Sequence, residues 1–274
     1  MRRGAETRLL ALIGDPVAHS LSPAMHAAAI AALGLDAVYV ALRTPAESVP
    51  TVMAALTAVG AAGNVTVPHK AAVERCVARK TDTAARAGAC NTFWVDQGQL
   101  VGDNTDVAGV EGALAALGAA DAARWLVIGT GGSARAVAVA AARHGRALGV
   151  RSRSPERARA FAAWAAGTLG LSVDAVHGPG DWDLAINATP LGLAESDPLP
   201  LTVKELGKKT TVLDLVYRAG ETRWVREARA AGRAAADGRE MLVCQGAAAF
   251  ERFFSGVAAP VDVMRAAVAA ALRA

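Results

Sequence analysis

Midway along the chain an apolar run, Trp125–Ile128, ends in a glycine turn, Gly129-Thr130-Gly131-Gly132, and passes into a stretch dominated by alanine. A strand, a glycine turn and a helix in that order confine the chain to an α/β architecture. The turn can cradle a pyrophosphate on the helix N-terminus. Ser133 can cap the helix, and Ala134, Ala136 and Ala138 let it lie close to a sheet. Taken alone, the glycines could merely terminate a strand, so the flanking sequence has to decide. The turn lies well inside the chain, which leaves the first 106 residues to a different task.

The segment beyond the following strand separates the cofactors. An NAD site places Asp or Glu about 20 residues past the turn, on the ribose 2′-hydroxyl. Here the strand Ala147–Arg151 leads into Ser152-Arg153-Ser154, with Arg157 one turn further on. A carboxylate would repel a 2′-phosphate, whereas guanidinium groups pair with it through charge-assisted bonds. Arg153 and Arg157 therefore point to NADP, and Arg159 reads as part of a solvated face.

The remaining pattern divides the chain in two. Leu9–Ile13, Ala37–Leu42 and Gly63–Val67 read as strands, alternating with helices over Pro23–Leu33, capped by Ser22, and Pro45–Val59. This alternation argues for a largely parallel sheet. Asn91–Val95 and Gln99–Val101 read as a hairpin, and Asp106 opens a helix. A second series has strands at Trp125–Ile128, Ala147–Arg151, Leu184–Asn187 and Val212–Val216. Helices over Glu240–Phe254 and Val261–Arg273 have no strands of their own and are expected to pack back on the first domain. That places Gln245 beside the first domain's polar motifs and puts a substrate cleft between the domains. The expected organisation is a substrate-binding α/β domain of residues 1–106 and 240–274, and a doubly wound nucleotide-binding domain of residues 107–239.

Composition excludes several classes. An apolar content of 53% with 20% charged residues is that of a globular chain. No apolar run approaches the roughly 20 residues that cross a bilayer. Charged residues interrupt the N-terminus, so no signal peptide is expected. The net charge is +4 with only 4% aromatics, unlike the aromatic-interleaved basic stripe of a nucleic-acid binder. Cys76, Cys90 and Cys244 lack metal spacing and suggest free thiols in a reducing cytoplasm. No metal site is expected.

Within the first domain, Asn64-Val-Thr66-Val-Pro-His-Lys70 and Gly102-Asp-Asn-Thr-Asp106 carry a lysine, a carboxylate, amides and hydroxyls, suited to binding and protonating a small polyhydroxylated acid. Only five of the 29 basic residues are lysines. An ammonium can polarise a carbonyl and then protonate the alkoxide that hydride addition creates, which suits Lys70. Asp106 can hold that ammonium, cap a helix, or do both. His26 and His69 read as structural.

Taken in order, these motifs resemble the shikimate dehydrogenase family almost end to end. His19-Ser20-Leu-Ser22-Pro23 is similar to the family's paired-serine motif, which implies that Ser20 and Ser22 bind the substrate carboxylate. Asn64–Lys70 resembles the catalytic lysine segment, and Asn91-Thr92 with Asn104-Thr105-Asp106 the later substrate motifs. The resemblance assigns catalysis to Lys70 and Asp106. It assigns the substrate to Ser20, Ser22, Thr66, Lys70, Asn91, Asp106, Tyr217 and Gln245. It gives the cofactor to Gly129, Thr130, Gly131, Gly132 and Ser133, to Ser152, Arg153, Ser154 and Arg157, and to Asn187, Ala188 and Thr189. Ala27 and Thr130 depart from the family's usual asparagine and alanine. The implied activity is NADP-dependent interconversion of 3-dehydroshikimate and shikimate by a cytoplasmic monomer or homodimer, with no nucleic-acid or membrane partner. A quinate or aminoshikimate dehydrogenase of the same family, or a silent NADP-binding sensor, are the alternatives.

Overall fold

The structure, a computed structural model, describes residues 4–178 and 180–273. The chain forms two compact units, one built from residues up to Gly109 and from Leu242 onward, the other from Val110–Met241. The division falls within two helices, a few residues from the boundaries read in the sequence.

The first unit begins with β1 (Arg8–Gly14), α1 (Ser22–Ala32), β2 (Ala37–Arg43), α2 (Val49–Ala58) and β3 (Ala62–Val65). Then come α3 (Lys70–Cys76), β4 (Arg79–Lys80), α4 (Asp82–Ala87), β5 (Thr92–Asp96), β6 (Gln99–Asp103) and the start of α5 (Asp106–Ala116). The strand order is β2-β1-β3-β5-β6-β4. Leu10, Ala11, Leu12 and Ile13 are all buried, as a central strand covered on both faces requires. At Gly63, paired with Ala11 of β1, a Cβ would lie 1.9 Å from the Ala11 carbonyl oxygen, so only glycine permits this approach.

The sheet is mixed rather than largely parallel. β1 pairs in parallel with β2 and β3, and β4 with β6, but β3–β5 and β5–β6 are antiparallel. The reversal comes from the β5–β6 hairpin, whose central turn residues Gln97 and Gly98 both have positive φ (51° and 73°), the requirement of a tight two-residue turn. Ser22 proves to be the first residue of α1 and not its cap; Leu21 holds the cap position and makes no side-chain bond. β3 ends at Val65, two residues before the expected end. Thr66 leaves the strand but stays tied to β1 through its N–H on the Ile13 carbonyl (2.9 Å).

The second unit contains the rest of α5, then β7 (Arg124–Ile128), α6 (Gly132–Arg143), β8 (Ala147–Arg151), α7 (Pro155–Leu169) and β9 (Val173–Ala175). β10 (Leu184–Asn187), β11 (Thr211–Asp214), α8 (Arg223–Ala230) and β12 (Ala235–Ala236) complete it, with the first residues of α9 (Arg239–Phe253). All its strand pairs are parallel, in the order β12-β11-β10-β7-β8-β9. This is the doubly wound order of dinucleotide-binding sheets, and the winding reverses between β7 and β10.

The C-terminal helices α9 and α10 (Val261–Ala271) return to the first unit, as the lack of accompanying strands suggested. Gly246 of α9 admits the Met25 side chain of α1, whose Cε would lie 2.2 Å from a Cβ there. His26 of α1 is fully buried, stacked on Tyr39 of β2 (4.5 Å, 8°) and flanked by Phe250 (6.2 Å) and Phe253 (5.7 Å) of α9. Both its ring nitrogens lack hydrogen-bond partners among the described residues. It is therefore a core histidine, and burial pushes its pKa down to about 3.

Because the folded-state pKa of His26 lies below its unfolded value, its contribution to stability is complete above about pH 6.5 and is lost as pH falls towards 3. At pH 5 the expected loss is about 2 kcal/mol. In His26→Phe, which keeps the aromatic stack, urea unfolding from pH 7.5 to 5 should lack this part of the acid sensitivity. Equal pH slopes in the two proteins would show that His26 is not the group responsible.

Candidate active site

In the first unit one network of polar side chains gathers residues distant in sequence. Lys70 opens α3, and its carbonyl accepts the Cys90 N–H (2.9 Å), which fixes the helix start beside β5. Its Nζ forms an ion pair with Oδ2 of Asp106, the first residue of α5. Asn91 Nδ2 donates to Asp106 Oδ1 (2.7 Å) and to Gln245 Oε1 of α9 (3.3 Å). Asn91 Oδ1 in turn accepts from the Thr105 N–H (2.7 Å), Thr105 Oγ1 (3.1 Å) and Thr92 Oγ1 (2.9 Å). A backbone N–H can only donate, so the Thr105 bond settles which end of the amide faces Asp106. The Lys70 side chain is 15% exposed and that of Asp106 6%, so the pair is shielded while the ammonium retains one open face.

A second branch runs towards the paired serines. The Ser22 N–H donates to Ser20 Oγ (3.3 Å), and the buried Ser22 hydroxyl bonds Tyr39. The Tyr39 hydroxyl donates to Asn64 Oδ1 (2.8 Å), and Asn64 Nδ2 donates to Thr92 Oγ1 (3.1 Å) and the Asn91 carbonyl (3.2 Å). Burial raises the Tyr39 phenol well above its ordinary value, so it stays neutral. The sequence reading missed Tyr39, which looked like one more apolar position of β2. It named Asn64 only as the start of a motif. Thr66 does not join this network through its side chain among the described residues. Tyr217 lies in the other unit, just past β11. His69 is buried, its Nε2 2.6 Å from the Thr44 carbonyl oxygen, a structural contact.

In the second unit, Gly129 follows β7 at φ +112°, and a Cβ there would lie 2.9 Å from the Ala188 carbonyl oxygen. α6 starts at Gly132, and its cap is Gly131, which offers no side-chain bond; nothing lies within 4 Å of a Cβ at Gly131. Ser133 is thus inside the first turn and is not the cap. The helix keeps unsatisfied N–H groups beneath open space, which suits an anion.

Beyond β8, Arg151 is paired with Glu205 (2.6 Å). Ser152 Oγ accepts the Ser154 N–H (3.3 Å). Ser154 caps α7, accepting the Arg157 N–H (3.2 Å) and donating to Glu156 (2.7 Å). The two serines build the turn, and Arg153 and Arg157 stand exposed on it with no ion pair among the described residues. Among the described residues Arg159 pairs only with Glu156 (3.4 Å), as a solvated face would.

Asn187, at the end of β10, is fully buried. Its amide donates to the Leu191 carbonyl (2.9 Å) and to Asp214 Oδ1 (2.8 Å), and its Oδ1 accepts from Thr189 N–H (3.0 Å) and Oγ1 (2.7 Å). Asn187 shapes the loop, while Ala188 and Thr189 are half-buried on it. Asp214, absent from the sequence-predicted site, is fully buried at the end of β11 and accepts from the Val216 N–H (3.1 Å) and Thr222 Oγ1 (2.7 Å). Burial raises its carboxyl to about 6. Gly129 closed to any Cβ, the uncapped helix start and the two unpaired guanidinium groups fit a dinucleotide bearing a ribose 2′-phosphate. Among the described residues no group of three or more His, Cys, Asp or Glu side chains could hold a metal ion, and no helix is long and apolar enough to cross a membrane.

Residues 12–93 match the shikimate dehydrogenase substrate binding domain, and residues 238–269 match the shikimate 5′-dehydrogenase C-terminal domain. A shikimate dehydrogenase (NADP(+)) of Rubrobacter xylanophilus is 42% identical, over 97% of each chain. Among solved structures, a shikimate dehydrogenase in complex with NADP+ superposes with a TM-score of 0.92 at 31% identity, covering 99% of this chain and 98% of the other. Shikimate 5-dehydrogenase of Thermus thermophilus, in complex with NADP(H) and shikimate, superposes with a TM-score of 0.87 at 37% identity, over 97% of this chain and all of the other.

Proposed function

The chain belongs to the shikimate dehydrogenase family, and we propose that it catalyses the reversible NADP-dependent reduction of 3-dehydroshikimate to shikimate. The observation that carries this reading is the shielded Lys70–Asp106 pair, bound through Asn91 to Gln245. Bound NADPH supplies the hydride that reduces the substrate carbonyl carbon. Lys70 holds a proton at Nζ and gives it to the carbonyl oxygen as that oxygen gains charge, so C=O becomes C–OH and the amine is left neutral. In the oxidative direction the neutral amine takes the hydroxyl proton.

Asp106 fixes Nζ in place and, with Asn91, Thr66, Tyr217 and Gln245, reads the substrate hydroxyls. The amide orientation of Asn91, set from behind by Thr105 and Thr92, presents a donor on the Asp106 side. Ser20 and Ser22 bind the substrate carboxylate, their spacing set by the bond from the Ser22 N–H to Ser20 Oγ. Gly129–Ser133 receive the pyrophosphate, and Arg153 and Arg157, framed by Ser152 and Ser154, the 2′-phosphate. Ala188 and Thr189 line the cofactor site on the loop that Asn187 shapes. We place the enzyme in the cytoplasm, a reading supported by Cys76, Cys90 and Cys244, none of which forms a disulfide among the described residues.

Lys70→Ala should lower kcat by about 10²–10⁴ while shikimate binding changes little. Near-wild-type turnover at saturating shikimate and NADP would remove Lys70 from the proton step.

For the cofactor, each charge-assisted bond to the 2′-phosphate contributes about 1.5–3 kcal/mol, or one to two decades of affinity. Arg153→Ala combined with Arg157→Ala should therefore depress kcat/KM for NADP selectively and leave the value for NAD nearly unchanged. Equal losses with both cofactors would assign these arginines to the fold.

A further inference from the structure

We propose that Asp214 is a positioning residue for the NADP site, its one carboxylate holding together the two loops that leave β10 and β11 at the switch point of the sheet. This inference rests on the NADP reading above and concerns a residue outside the reacting groups. Asn187 and Asp214 are partners in register at the ends of β10 and β11, and β10 pairs in turn with β7, whose last residue precedes Gly129. Side chains at these strand ends lie beside the crevice where doubly wound sheets take their ligands.

Three segments meet on the carboxylate. Oδ1 accepts the Asn187 amide, which turns the 188–191 loop through its further bonds to Thr189 and Leu191. Oδ1 also accepts the Val216 N–H, which bends the chain out of β11. Oδ2 accepts the hydroxyl of Thr222, a fully buried residue that also caps α8. The excursion carrying Tyr217 is thus clasped at both ends, at Val216 and at Thr222. On the other side, the Ala188 carbonyl sets the clearance over Gly129. A displaced 188–189 loop would consequently disturb the glycine turn as well.

Such a group is an uncommon choice for a purely structural anchor. It is fully buried, no cation pairs with it among the described residues, and the second buried acid Asp237 adds to the burial that raises its pKa. Asp237 has its own partner in Arg239 (2.8 Å). A carboxylate nevertheless offers what this junction needs, acceptors for three converging donors. Asparagine would keep the shared acceptor for Asn187 and Val216 and could donate to Thr222. Alanine would leave the Val216 N–H and the Thr222 hydroxyl without this acceptor and the Asn187 amide with only its bond to the Leu191 carbonyl.

Two measurements separate positioning from general support. Amide hydrogen exchange needs no ligand. In Asp214→Ala, exchange at Thr189, Leu191 and Val216 should quicken by about tenfold or more, while Val127 and Ile186 in the strands stay protected. Calorimetry should show Kd for NADP rising about tenfold. Asp214→Asn should restore both readouts to near wild type. If Asp214→Ala does not fold, Thr222→Val, which removes one of the three bonds, should show the same changes to a smaller degree. Unchanged exchange and NADP affinity in the folded variants, or an asparagine variant as weak as alanine, would overturn the proposal. A wild type that binds NADP but does not oxidise shikimate would defeat the proposed reaction and leave the role of Asp214 standing.

Discussion

The ion pair of Lys70 with Asp106 is the constraint around which the first unit is organised. Two charges with so little exposure cost several kcal/mol each in lost hydration, and their attraction offsets this only if the remaining lone pairs are also satisfied. Asn91 satisfies one of them, and the amide is itself oriented by a backbone N–H and two threonine hydroxyls. The antiparallel hairpin then becomes intelligible. β5 delivers Asn91 and Thr92, and β6 runs back beside it to deliver Thr105 and Asp106 to the same end of the sheet. A fully parallel sheet would need a long crossover to bring those two segments together.

The second unit solves a different problem by similar means. Its open helix start suits an anion held by backbone groups, and the surface there is shaped by residues that withdraw from it. Gly129 and Gly131 contribute by lacking side chains, Ser152 and Ser154 by folding their hydroxyls into the turn, and Asn187 and Asp214 by bonding behind the loops. On that turn Arg153 and Arg157 are left exposed, with no ion pair among the described residues.

Much of this could be read from the chain because the signals were local. The strand, glycine turn and alanine-rich helix announced the nucleotide unit, and the return of the last two helices followed from their lack of strands. What escaped had non-local causes. Tyr39 sits in an alternating strand where a phenol and a phenylalanine ring look alike, and only the fold shows its hydroxyl meeting Asn64. Asp214 ends an apolar strand, and its importance lies in Thr222 and Asn187, which sequence spacing does not connect to it. Short elements such as α3 and β4 offer too few residues to display a period, and the caps at Leu21 and Gly131 were misplaced because neither uses a side-chain bond.

The orientation of the Asn91 amide has an effect on proton traffic. An amide can donate and accept hydrogen bonds but does not relay a proton at ordinary pH, and Asn91 turns its donor end towards both Asp106 and Gln245. Behind it, the Thr105 N–H directs its hydrogen at the amide oxygen, and the Thr92 and Thr105 hydroxyls, 2.9 Å from each other, lie within bonding distance of the same oxygen. On the side that Asn91 covers, the site is thus closed to proton relay. In the proposed reaction, a proton that Lys70 gives to the substrate is therefore regained through the open face of the ammonium and not through the Asn91 amide.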